Sequence, residues 1–200
     1  MKQIVTAAIL FTLVFTTASA WAQLDPDDDG IGIYFDPCAC VNCVPMEPGP
    51  QQGYIVITHP TAQQAGVGGW EAKIWTEGPG VITGVTFQGQ AINFANRQDE
   101  FIVGIAVPLY NPFMYPAVVV ATIDFLLLES SEPLQWYIDG IYFHSLPEKV
   151  PAYLDGDDYN IIIELQQPTG GPTIPVATIN GACAVPTTEA SWGGVESLFR

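Results

Sequence analysis

The chain is 200 residues long, with 21 acidic residues against five basic ones, a formal charge of −16 and a 48% apolar composition. That length suffices for one well-buried domain and is short for two. The charge repels phosphate backbones and anionic headgroups, which excludes nucleic acid and electrostatic membrane binding and leaves neutral, cationic or metal-ion ligands.

Lys2, an apolar run from Ile4 to Phe15 and overlapping A-x-A sites ending at Ala20 and Ala22 have the layout of a secretory signal peptide. The expected organisation is a leader at 1–22, a β-sandwich domain at 23–185 and a tail at 186–200. The apolar run is too short to span a bilayer, and the first cysteine, Cys38, is too far from the cleavage region for N-terminal acylation. The mature chain is therefore expected to be secreted, extracellular or periplasmic, without membrane insertion.

Asp25, Asp27, Asp29 and Gly30 follow in D-x-D-x-D-G spacing, and Asp36 stands at the twelfth position of an EF-hand-type loop. Calcium takes six to eight oxygens, and these carboxylates with the Ile31 carbonyl supply most of them. Against this, an EF-hand has Glu at the twelfth position and flanking helices, whereas cleavage leaves almost nothing upstream and Ile31 to Phe35 alternates like a strand; a solvated acidic arm explains the same residues.

Cys38, Cys40, Cys43 and Cys183 suit an oxidising compartment. If all four pair, Cys183 reaches back to the N-terminal cluster and closes a loop of about 140 residues, which stabilises by roughly 4 to 5 kcal/mol. Cys40 with Cys43 makes a feasible turn and Cys38 with Cys40 a strained one, so connectivity stays open. C-x-C-x-x-C with Cys183 is also a conceivable zinc set, which export disfavours.

Nine segments rich in Val, Ile, Tyr, Phe and Trp, bounded by Gly, Pro, Asn or Asp, read as strands. They are Ile31 to Phe35, Tyr54 to Thr58, Trp70 to Thr76, Val81 to Phe87, Phe101 to Val107, Val118 to Leu128, Trp136 to Phe143, Tyr159 to Leu165 and Ile174 to Ile179. Turn-rich connections without amphipathic helices predict an all-β fold, a single antiparallel β-sandwich, with Val118 to Leu128 as a central strand. A short C-terminal helix is expected where Ser191 caps a turn carrying Trp192, Val195, Leu198 and Phe199 on one side.

Alternation in Trp70 to Thr76 sends Trp70, Ala72 and Ile74 to one face and Glu71, Lys73 and Trp75 to the other. An exposed Trp75 beside carboxylates offers a flat surface for a sugar ring, with Trp136, Tyr137 and Tyr142 as further candidates; packing in the core competes for the same rings. Asp155, Asp157 and Asp158 around Gly156 form a second possible calcium loop, or an ordinary turn. Asp124 is the one acid in an apolar strand and hence a candidate general acid. Two histidines, His59 and His144, with no G-x-S-x-G, H-E-x-x-H or phosphate loop, supply no recognisable catalytic set, so no enzyme is expected.

DPDDDGIGIYFD, VNC at Val41 to Cys43, PAYLDGDD at Pro151 to Asp158, PVATINGAC at Pro175 to Cys183 and the closing SWGGVESLFR resemble a group of short secreted bacterial proteins of unknown function. The resemblance implies a signal peptide and an extracellular β-sandwich, and no activity. Gly69 to Glu129, with G-W-E-A-K-I-W, V-T-F and V-V-A-T-I-D-F, resembles cohesin-like sandwiches, and an immunoglobulin-like sandwich fits the same strand pattern. Cohesin-like modules bind protein partners or serve as scaffolds. The expected function is non-catalytic binding or scaffolding at the cell envelope or matrix, with a protein or glycan partner. A carbohydrate-binding module, calcium-stabilised or not, and a glycan-active hydrolase are the alternatives.

Overall fold

The computed structural model describes residues 27–62, 65–110 and 116–183. The leader, Asp25 and the expected tail helix lie outside them. Among the described residues there are twelve strands and no helix: β1 (Gly30–Tyr34), β2 (Cys43–Val44), β3 (Gly49–Thr58), β4 (Val67–Glu77), β5 (Gly80–Phe87), β6 (Ala91–Asn93), β7 (Glu100–Leu109), β8 (Ala117–Leu127), β9 (Leu134–Asp139), β10 (Ala152–Asp155), β11 (Ile162–Glu164) and β12 (Ala177–Ile179).

They form two sheets. The smaller has the order β1-β3-β8-β5 and is antiparallel throughout, with β8 central as its two apolar faces predict. In the larger, β4 pairs with β7 along one edge and with β10 and then β9 along the other, and β6 extends it beyond β7. At its far end β12 pairs antiparallel with β9 but parallel with β2, so this sheet is mixed rather than purely antiparallel. The Cys43–Cys183 disulfide explains why two residues suffice for that parallel pair, since it holds the flanking segments at a Cα separation of 5.4 Å.

The core fills the space between the sheets. Ile31, Ile33, Ile55, Ile57, Val118, Val120, Ala121, Ile123, Phe125 and Leu127 come from the small sheet and meet Trp70, Ala72, Ile74, Phe101, Val103, Leu134, Trp136 and Ile138 from the large one. Strict alternation cannot bury both Val120 and Ala121. A register shift opposite Ile55 and Val56 accommodates the extra residue, and this bulge reverses the facing of β8, so positions on either side of it contribute to one core. Trp136 packs edge-on against Phe125 at 5.1 Å, and Trp70 lies 5.8 Å from Phe101 and 6.2 Å from Phe87.

Three expected strands are shorter than their apolar runs: β9 stops at Asp139, β11 covers only Ile162–Glu164, and β12 starts at Ala177. β9 ends where Gly140 lies against the Lys149 carbonyl, an approach a side chain would block. Beyond it, Tyr142 and Phe143 continue the apolar run into a loop. Ala91–Asn93 and Ala152–Asp155, which carry no strand signal of their own, are paired through β7 and β4.

Candidate functional site

Two of the large sheet's outward-facing positions carry buried carboxylates. Glu71, on the face of β4 opposite Trp70, is 6% exposed, and Glu100, at the start of β7, is 5% exposed. Alternation places Glu71 on the outer face, where solvent is expected; the loop 140–150 covers it. The Ser145 amide and hydroxyl donate to the two Glu71 oxygens at 2.7 and 2.6 Å, and the Tyr142 amide donates to Glu100 Oε1 at 3.1 Å. Arg97 pairs with Glu100 at 3.3 Å and lays its guanidinium over the Tyr142 ring at 4.8 Å. Charge-assisted bonds of this kind are roughly twice as strong as neutral ones, so the loop is clamped to the sheet at two points.

Beside the clamp lies a pocket of about 230 Å³, lined on the outer face by Phe94, Ile102, Leu154 and Ile162, with Glu71 and Ser145 at one side. Gly104 lines it without a side chain. Gly69 and Gly104 are register partners; a Cβ on Gly69 would stand 2.7 Å from the Val103 carbonyl, and one on Gly104 would meet the Phe94 ring. Large apolar side chains face water on this side of the sheet: Phe94, which lines the pocket, and Ile92, the register partner of Gly104, are each 64% exposed, and Phe143 in the clamped loop is 80% exposed. Phe143 stands edge-on to Tyr142 at 4.8 Å, so the clamped loop presents a braced aromatic pair. No motif marks this site. The legible trace is Phe94 amid Asn93, Ala95 and Asn96, and Tyr142–Phe143 after a glycine.

The expected sugar platform is not assembled. Trp136 is fully buried and Tyr137 nearly so, which removes both as ring surfaces for a ligand. Trp75 is half-buried; Tyr137 stacks on it at 5.3 Å and 12°, and Lys73 Nζ lies 5.0 Å from its ring centre. Its neighbours thus compete for the surface a sugar needs. Asp124 is exposed and accepts from Gln52 Nε2 at 3.1 Å, so it stands as a surface carboxylate rather than an acid enclosed among apolar groups.

The twelve-residue calcium loop is not formed either. β1 lies between Asp29 and Asp36 and, at about 3.3 Å per residue, holds them too far apart to share an ion. Asp29 instead ties the entry of β1 to the sandwich: its carboxylate accepts from the Thr61 amide at 2.7 Å, the Thr61 hydroxyl and the Tyr153 hydroxyl at 2.7 Å. Burial, foremost, pushes the Tyr153 phenol up to about 12. Asp155 Oδ1 accepts from the Asp157 and Asp158 amides, and the Asn160 amide and side chain hold Asp158 below its ordinary pKa. The fold brings the two acidic runs together: Asp28, Asp155 and Asp157 line one cleft with His59 and Thr61.

Asp36 sits in a different turn, with Cys38 and Cys40. Its Oδ1 accepts the Cys40 amide at 2.8 Å. The Cys38 thiol is pushed up to about 11 by its hydrogen bond with Cys40, by burial and by the charge of Asp36. Cys43 and Cys183 are spent in the disulfide, so neither the four-cysteine zinc set nor a Cys40–Cys43 bridge exists.

No family model matches the chain, and no curated protein matches it. Among solved structures it is similar to the sixth cohesin of scaffoldin B from Acetivibrio cellulolyticus, determined in complex with a Cel5 dockerin mutant. That match has 8% identity and a TM-score of 0.43 over 78% of this chain and 100% of that one. It is also similar to a type II cohesin domain from the cellulosome of the same organism, at 14% identity and a TM-score of 0.42, over 77% of this chain and 96% of that one. Overlaps of this size bear on neither partner nor activity.

Proposed function

We propose that the protein is an exported, non-catalytic module that binds another protein through the outer face of its large sheet. The observation that carries this reading is the apolar pocket lined by exposed Phe94, together with the exposed Phe143 on the loop that buried Glu71 and Glu100 clamp to the same sheet. Exposed apolar surface on a rigid support marks an interaction site, because its ordering cost is met before the partner arrives. The pocket is smaller than the roughly 300–1,000 Å³ clefts that enclose small molecules and suits a partner's side chain. Both oxygens of Glu71 are engaged by Ser145, which supports a structural rather than a catalytic carboxylate. The disulfide and the leader-like N-terminus support export to an oxidising compartment.

The test is capture of an envelope protein from the producing cells by the immobilised chain, followed by titration of the purified partner. Phe94→Ala and Phe143→Ala are each expected to weaken binding about 30-fold, the equivalent of a roughly 2 kcal/mol anchor, with the unfolding midpoint unchanged. Equal affinity of both variants and the parent chain would reject this face as the binding surface.

A further inference from the structure

Outside that face, the turn from Asp36 to Val41 brings three potential metal donors together on the other side of the sandwich. The geometry points to a binding site for a single thiophilic divalent cation of the zinc class, held by the Asp36 carboxylate and the Cys38 and Cys40 sulfurs. One donor atom from each residue lies within 4.8 Å of the other two. Tetrahedral zinc, with bonds of about 2.3 Å to sulfur and 2.0–2.2 Å to oxygen, sets its donors about 3.6–3.8 Å apart, so closing on the ion takes side-chain rotations of about 1 Å. Two sulfurs and one oxygen select zinc-like ions over calcium or magnesium, which take oxygen donors.

The turn is built to hold these groups in place. Ala39, between the two cysteines, is fully buried against Tyr34, Val56 and Ala117 and has φ of 55°. The Phe35 amide donates to the Val41 carbonyl at 2.7 Å and closes the turn at its base. The Cys40 amide at 2.8 Å and the Val41 amide at 3.4 Å orient the Asp36 carboxylate through Oδ1. With its centre anchored in the sheet face, the turn leaves both thiols half-buried at the surface. Three protein ligands leave a fourth position for water or for a donor from another molecule. Binding replaces the two S–H bonds with metal–sulfur bonds and releases the protons to solvent.

Cobalt(II) is the probe, added to the full chain with the Cys38 and Cys40 thiols reduced and the Cys43–Cys183 bond intact, both verified by intact mass. One equivalent is expected to produce thiolate-to-cobalt absorption in the near ultraviolet and the intense visible bands of a tetrahedral site, and zinc is expected to abolish both. Zinc should also slow alkylation of the two thiols at least about tenfold. Cys38→Ser and Cys40→Ser should each remove the charge-transfer band or halve it, and Asp36→Asn, which removes a charged ligand, should weaken binding at least about tenfold, the lower end of what loss of a group that merely orients a ligand costs. A weak octahedral spectrum, a band unchanged in Cys38→Ser, or unprotected thiols at saturating zinc would overturn the site. So would a chain that binds cobalt only after the Cys43–Cys183 bond is reduced.

Discussion

At the scale of single residues, buried polar groups distinguish this chain from a generic sandwich. Tyr153 is nearly inaccessible, yet its hydroxyl lies 2.7 Å from Asp29 and 3.2 Å from the Ala62 amide, so one side chain joins β10, the entry to β1 and the loop after β3. Its raised pKa has a direct consequence for stability. Below pH 10 the phenol is protonated whether the chain is folded or not, and its contribution is fully present. Between about pH 10 and 12 the unfolded chain loses the proton first, so stability falls by roughly 2 kcal/mol as pH rises through that window. Urea unfolding at pH 9 and pH 11.5 should show a loss larger by roughly 2 kcal/mol in the parent chain than in Tyr153→Phe, which retains the smaller contribution of Tyr137, whose phenol burial also pushes up. The phenylalanine variant should itself be about 1 kcal/mol less stable at pH 9, for want of the hydrogen bonds.

Among the elements, the loop 140–150 depends on bonds made from far along the sequence. Without Glu71 and Glu100 it would be a long surface loop with two exposed aromatic rings; with them it is tied to β4 and β7. Glu71→Ala removes the acceptor for two donors, and a hydrogen bond to a charged group contributes about 1.5–3 kcal/mol. Limited proteolysis should therefore cut the Tyr142–Glu148 segment at least about tenfold faster in Glu71→Ala than in the parent chain, while Phe143→Ala leaves the rate unchanged. If both variants are cut at the parent rate, the clamp does not hold the loop.

For the whole molecule, the Cys43–Cys183 bond joins segments 140 residues apart and fixes the β2–β12 edge of the large sheet. In the chain-entropy description a loop of that size lowers the entropy of the unfolded chain by the equivalent of about 5 kcal/mol, less any strain. Cys43→Ser with Cys183→Ser should lower the denaturant midpoint accordingly. Loss of the edge should open β12 before the β3–β8–β5 sheet, which amide exchange would resolve as lower protection at Ala177–Ile179 than at Val118–Leu127.

The sequence by itself determined the all-β class, the central position of β8, the inward facing of Trp70, Ala72 and Ile74, and a cysteine near each end of the domain available for pairing. Each is local: period-two alternation and turn residues act between near neighbours, and a strand apolar on both faces has to be central. Only the tertiary structure decided that Cys43 rather than Cys38 or Cys40 meets Cys183, that Trp136 lies in the core, and that Asp29 and Asp36 part at opposite ends of β1. It also decided that Glu71 is covered by a loop more than seventy residues away, and that Gly104 lines a pocket beside it. These depend on register and on contacts between distant segments. A polar residue at an outward strand position has the same local pattern whether water or a loop lies above it.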